Sequence, residues 1–256
     1  MSGARILRRS VDTVNGDSRH FTSRHVSALL IGRVLAVPEV SDARFDAAAA
    51  LRELAHAFNA HEATDETFER VASAAQELTV ELERGARRER VIPSFDELTD
   101  HRPDSDGPRP QGMADRAVVG GANPTAVEIE TTIEEGVAVA RVVFGAAFEG
   151  APGRVHGGMV AAVLDDIAGF ALGFEGEPGF TGTLKVVYRA PVPIERTIEF
   201  RTWVRGREGR KLFVEAEARL DDRVLASAEL TMILVDRDHF RTHAADLLDG
   251  GAAKPR

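Results

Sequence analysis

Cysteine is absent from this 256-residue chain, so disulfides, thiol catalysis and cysteine-ligated metal sites are excluded. Positive charge is in deficit. The 32 Lys and Arg against 41 Asp and Glu leave a formal net charge of −9, which argues against a nucleic-acid binder. No apolar run approaches the length needed to cross a bilayer, because each is short and punctuated, and no membrane insertion is expected. The N-terminal MSGARILRRSVDTVNG carries Arg5, Arg8 and Arg9 without an apolar core, unlike a secretory signal. Asp12 and Asp17 interrupt it as an organelle-targeting peptide, so a cytoplasmic protein is the expectation.

What is present falls into two parts. Residues 1–20 are polar, and His25–Val37 reads equally as a short helix or a strand. Ser41-Asp42 then opens a helix in which Ala47, Leu51, Leu54, Ala55 and Phe58 recur at helical spacing. Thr64-Asp65 opens a second, with Phe68, Val71, Ala75, Leu78 and Leu82 on one face and Gly85 as its stop. Together they predict a helical hairpin. His56 and His61, five apart at the helix end, read as solvated rather than as metal ligands. Residues 86–112 are rich in charge, Pro and Gly and read as a linker. The organisation expected is an N-terminal helical extension and linker (1–112), a second domain (113–236) and a tail (237–256).

The second domain is a run of strands around one apolar stretch. Val127–Ile133 and Val137–Phe144 predict two strands joined at Glu135-Gly136. Strands over Thr181–Tyr188, Thr197–Val204, Leu212–Leu220 and Val224–Val235 follow. Between the two sets lies EGAPGRVHGGMVAAVLDDIAGFAL, Glu149 to Leu172. Its part from Met159 to Leu172 lacks Pro and predicts one helix, apolar on nearly every face and therefore buried in the protein or an assembly. Such a helix against antiparallel strands is an α+β solution in which a sheet wraps the helix. Asp165 and Asp166 point about 100° apart, so at least one sits where a carboxylate needs a partner or a task.

The sequence Glu149-Gly150-x-Pro152-Gly153-x-Val155-His156-Gly157-Gly158, with Asp165 nine residues after the histidine, resembles the hotdog-fold acyl-CoA thioesterases of the phenylacetate-pathway and thioesterase-superfamily type. The strand Thr181-x-x-Leu184-x-Val186-x-Tyr188-x-x-Pro191-Val192-Pro193 is similar to that family's segment after the helix. The resemblance covers about residues 117–235. It implies a curled antiparallel sheet wrapped around a central helix, here behind an N-terminal helical extension.

The resemblance also implies roles. Gly157 matches the position whose backbone N–H polarises the thioester carbonyl, with Gly158 beside it at the substrate. Asp165 matches the carboxylate that activates water or attacks directly, usually across a dimer interface. Thr181 matches a hydroxyl that helps position the water. Where some members carry Asn, six residues before the histidine, this chain has Gly150. His156 has no Ser or Cys partner in the motif, so its ring is expected to order the turn. Asp166 is expected to be structural or interfacial, and Tyr188 and Trp203 to be packing residues. A CoA substrate would bring phosphates, for which Arg189, Arg207, Arg210 and Lys211 offer cations. Asp165 lies two turns from its own Gly157, which calls for a second subunit: a homodimer or dimer of dimers. No metal or organic cofactor is implied. A non-catalytic acyl-CoA-binding protein of the same fold is the alternative.

Overall fold

The computed structural model describes residues 40–88 and 114–237. The readings made on 1–39, on most of the linker and on the tail lie outside the described residues.

Helix α1 (Asp42–Ala60) and helix α2 (Asp65–Glu83) open the described chain. Thr64 caps α2 by accepting from the Thr67 N–H. The two helices meet where the Phe58 and Phe68 rings stand 5.3 Å apart, edge to face. The apolar spacing identified the helices but not the face of α1 that packs. Leu51, Leu54 and Phe58 are exposed, while Phe45 and Ala48 are buried, with Arg52 and His56 half-buried. Phe45 joins Val40, Ala114 and Ala122 in a small core of its own. Arg52 donates at 3.0 Å to the carbonyls of Gly121 and Asn123, so polar side chains complete that contact. Nothing in α2 is buried.

The body is a six-stranded antiparallel sheet. Strands β1 (Glu128–Glu134) and β2 (Val137–Val143) form a hairpin, and a 3-10 turn follows over Ala146–Phe148. A small ribbon, β3 (Glu149–Ala151) and β4 (Arg154–Val155), leads to His156. Helix α3 (Gly157–Ala168) and a short α4 (Phe170–Glu175) come next. Strands β5 (Gly179–Tyr188), β6 (Thr197–Glu208), β7 (Lys211–Leu220) and β8 (Arg223–Leu234) complete the sheet, in the order β1-β2-β6-β7-β8-β5.

The sheet packs on α3. Val160, Val163, Leu164 and Ile167 face Phe144, Phe200, Leu212, Met232 and Leu234, all fully buried. Each such side chain contributes about 1.5–3 kcal/mol. Alternation follows from this: Leu212, Val214, Ala216 and Ala218 of β7 turn inward, and the residues between them do not. The single helix expected over Met159–Leu172 is in fact two. Gly169, a weak helix former, ends α3 at Ala168, and α4 closes at Gly176 with φ 68. Burial of α3 is also one-sided. Gly158 is exposed, and Ala161, Ala162, Asp165 and Asp166 are half-buried.

Strand β5 pairs with β8 on one side and with nothing on the other among the described residues. None of its ten residues is buried, and Phe180, Leu184, Val187 and Tyr188 are all exposed. A long bare edge of this kind is a template for a further strand.

Candidate active site

The turn into α3 is built from the ribbon that precedes it. His156, at φ −60 and ψ 128, is the N-cap, and its Nδ1 accepts from the Gly158 N–H at 3.0 Å. Its carbonyl accepts from Met159 at 2.9 Å and from Val160 at 3.4 Å. The first turn of the helix thus has three of its four N–H groups satisfied. The remaining one, Gly157 N–H, has no acceptor among the described residues. A free N–H at the positive end of a helix is the donor an oxyanion needs. The Tyr188 hydroxyl donates to the Gly157 carbonyl at 2.7 Å, tying the start of α3 to the end of β5.

Two turns on, Asp165 receives a hydrogen bond from the Thr181 hydroxyl at 2.9 Å. A β-bulge at Gly182 aims Thr181 there: Thr181 pairs with Met232 and Thr183 with Thr231, leaving Gly182 unpaired. A Cβ on Gly182 would lie 3.0 Å from the Ile233 side chain and 3.2 Å from the Thr231 carbonyl, so glycine permits this approach.

Asp166 points elsewhere. Its Oδ1 stands 3.5 Å from Arg116 Nη1, and its buried Oδ2 has no hydrogen-bond partner. Burial pushes its carboxyl above the usual carboxylate range; Arg116 partly offsets that, and neighbouring Asp165 adds to it.

Within one chain these groups lie apart. Helix α3 runs antiparallel to β5, with Gly157 at the Tyr188 end and Asp165 at the Thr181 end. The eight residue steps from Gly157 to Asp165 span about 12 Å at about 1.5 Å each. The candidate cations are divided likewise. Arg189 follows Tyr188, and its guanidinium donates to Ser227 Oγ at 3.2 Å. The turn holding Arg207, Arg210 and Lys211 lies at the other end, where Lys211 and Phe180 both pair with Ile233. Strand β5 separates the two by about 30 Å. Arg207 is already engaged, 2.7 Å from Glu177 and 3.4 Å from Glu175.

Sequence reasoning missed three contributors. Tyr188 is half-exposed and holds the Gly157 carbonyl rather than packing. Arg116 lies in a stretch with no period, and nothing near it in sequence marks Asp166 as its partner. His56 is not solvated: its Nδ1 accepts from the Ala147 N–H at 3.1 Å, and its ring meets Phe148 at 5.3 Å. No group of His, Asp and Glu suited to a metal occurs among the described residues.

A six-stranded antiparallel sheet packed on one central helix, entered through His-Gly-Gly, is the architecture of the hotdog fold. The family model described as thioesterase superfamily matches residues 152–227. Acyl-coenzyme A thioesterase THEM4 of Mus musculus is 31% identical over 90 residues, 35% of this chain and 39% of that protein. The Xenopus laevis protein of the same name is 30% identical over 87 residues, 34% of this chain and 39% of its own length. The chain therefore spans about two-fifths of the length of the curated relatives it matches. Among solved structures, a thioesterase superfamily protein aligns with TM-score 0.63 and 24% identity, over 76% of this chain and 97% of its own.

Proposed function

We propose that this protein is an acyl-CoA thioesterase that works as a homodimer. One observation carries the reading: among the described residues Gly157 presents the one unclaimed N–H of the first helical turn, and Asp165 waits two turns along the same half-buried helix face with Thr181 on its oxygen. The matched relatives, named acyl-coenzyme A thioesterases, support the substrate class.

Assembly follows from the bare β5 edge. If two copies pair β5 with β5 antiparallel about a two-fold axis, the Thr181 end of one meets the Tyr188 end of the other. Asp165 of one copy then approaches Gly157 of the second, and the half-buried face of α3 is covered. The same pairing brings Arg210 and Lys211 of one copy toward Arg189 of the other. That is a mixed-subunit cradle for the phosphates of CoA, with Gly158 at its floor.

In this arrangement the thioester carbonyl oxygen sits on the Gly157 N–H. Asp165, oriented by Thr181, takes a proton from water as the water oxygen bonds to the carbonyl carbon. The tetrahedral intermediate collapses, the C–S bond breaks, and the thiolate takes up the proton to leave as CoA. An oxyanion donor contributes about 3–4 kcal/mol and general-base assistance about 10²–10⁴-fold. The test is thiol release from short, long and phenylacetyl CoA thioesters, for wild type and Asp165→Ala together. Release that collapses in a folded Asp165→Ala protein supports the reading. Binding without release by wild type overturns it in favour of a non-catalytic acyl-CoA-binding protein.

A further inference from the structure

The N-terminal helix packs on the 3-10 turn that precedes the His156–Gly157 turn, and His56 makes a hydrogen bond there. His56, near the end of α1, lies 91 residues from Ala147, whose N–H it accepts at 3.1 Å. Its ring packs edge-on against Phe148, and Phe148 in turn meets Phe144 of the core at 6.2 Å. The Phe148 carbonyl accepts from His156 N–H at 2.9 Å. His156 is the residue that caps α3 and leaves Gly157 N–H unclaimed. Four links therefore run from α1 to the candidate oxyanion donor: His56, the 3-10 turn, His156, Gly157. The approach is close by construction. A Cβ on Gly145 would fall 2.5 Å from His56 Nδ1, so the chain at that point leaves room for this ring and little else.

We propose that His56 is a positioning residue, by which the N-terminal helix fixes the His156–Gly157 turn and so aims the Gly157 N–H at the substrate carbonyl. The interaction needs a neutral imidazole with Nδ1 as acceptor. The surroundings favour that form. Burial first, and then Arg52 on the same helix, hold the imidazole below its ordinary pKa. The packed turn Gly145-Ala-Ala-Phe148 carries no titratable group. Arg52 itself is held by the carbonyls of Gly121 and Asn123.

The kinetic side of this rests on the thioesterase reading, so the test carries a second readout that does not. His56→Phe keeps a ring and removes the acceptor, His56→Asn restores an acceptor near the Nδ1 position, and Gly145→Ala displaces the ring from the other side. For each, steady-state release from a CoA thioester and amide exchange at Gly157 and Gly158 are measured. His56→Phe and Gly145→Ala are expected to lower kcat about tenfold with KM within about twofold, and to speed Gly157 and Gly158 exchange about tenfold. His56→Asn is expected to recover most of both. Unchanged exchange in His56→Phe overturns the proposal whatever the kinetics, and so does an equal loss in His56→Asn. If wild type releases no thiol, the thioesterase reading fails alone, and exchange still decides the role of His56.

Discussion

At the scale of single residues, the site divides one pair of neighbours into two tasks. Asp165 is half-buried on the outward face of α3 and takes a hydroxyl bond; Asp166 turns inward to Arg116. Thr181→Val should therefore lower kcat about tenfold, the value of one hydrogen bond to a charged group, with KM little changed in thiol-release assays. Arg116→Ala strips the partly buried Asp166 of its counter-charge. Chemical denaturation should show a loss of about 1–2 kcal/mol, and Asp166→Asn in the same background should restore most of it. A double variant no more stable than Arg116→Ala contradicts that assignment. His56 adds a pH term. Its folded-state pKa lies below the ordinary value near 6.5, so the folded chain binds fewer protons than the unfolded one just below that pH. The stability it contributes is fully present above the ordinary value and is lost as pH falls through the lowered one. Melting curves should show wild type losing more stability than His56→Asn as the buffer is taken from about pH 7.5 to about pH 5. The residues legible in the sequence were those whose partners are near in the chain, His156 to Gly158 above all. Arg116 and His56 reach partners 50 and 91 residues away, and no local pattern marks them.

At the scale of elements, β5 and α3 form a pair with a shared unfinished side. Strand alternation gave the positions of β6, β7 and β8, because one face of each is buried in the core and period two is the trace of that. It did not identify β5 as an edge, since β5 carries Phe180, Leu184, Val187 and Tyr188, the apolar residues of an inner strand, on exposed positions. The α1 helix shows the converse: helical spacing was legible, yet the face that packs is the one bearing Phe45, Ala48, Arg52 and His56. There hydrogen bonds to loop carbonyls and to the Ala147 N–H outweigh the apolar stripe of Leu51, Leu54 and Phe58. If β5 pairs with its own copy, a charge on that strand should break the pairing. Leu184→Lys is expected to shift the protein from dimer to monomer in sedimentation velocity and to abolish thiol release. A monomeric wild type contradicts the pairing.

At the scale of the whole molecule, the proposed homodimer builds each site from two chains, neither of which holds a complete one. Gly157→Pro removes the donor: proline is well tolerated at the first position of a helix and carries no N–H, and because its Cβ would stand 3.3 Å from the Tyr188 ring, Tyr188→Phe in the wild-type background is the control for a shift of that ring. The extended backbone of His156 also suits a following proline. Asp165→Ala removes the base. Each variant alone should be inactive. In an equal mixture allowed to exchange subunits, half of the dimers are mixed, and in each of these one of two sites has both an intact Gly157 and an intact Asp165. Thiol release from that mixture is the measurement that bears most directly on the composite site. Recovery to about a quarter of wild-type turnover is expected; no recovery, with subunit exchange verified, places Gly157 and Asp165 in separate roles within one chain and contradicts the shared site.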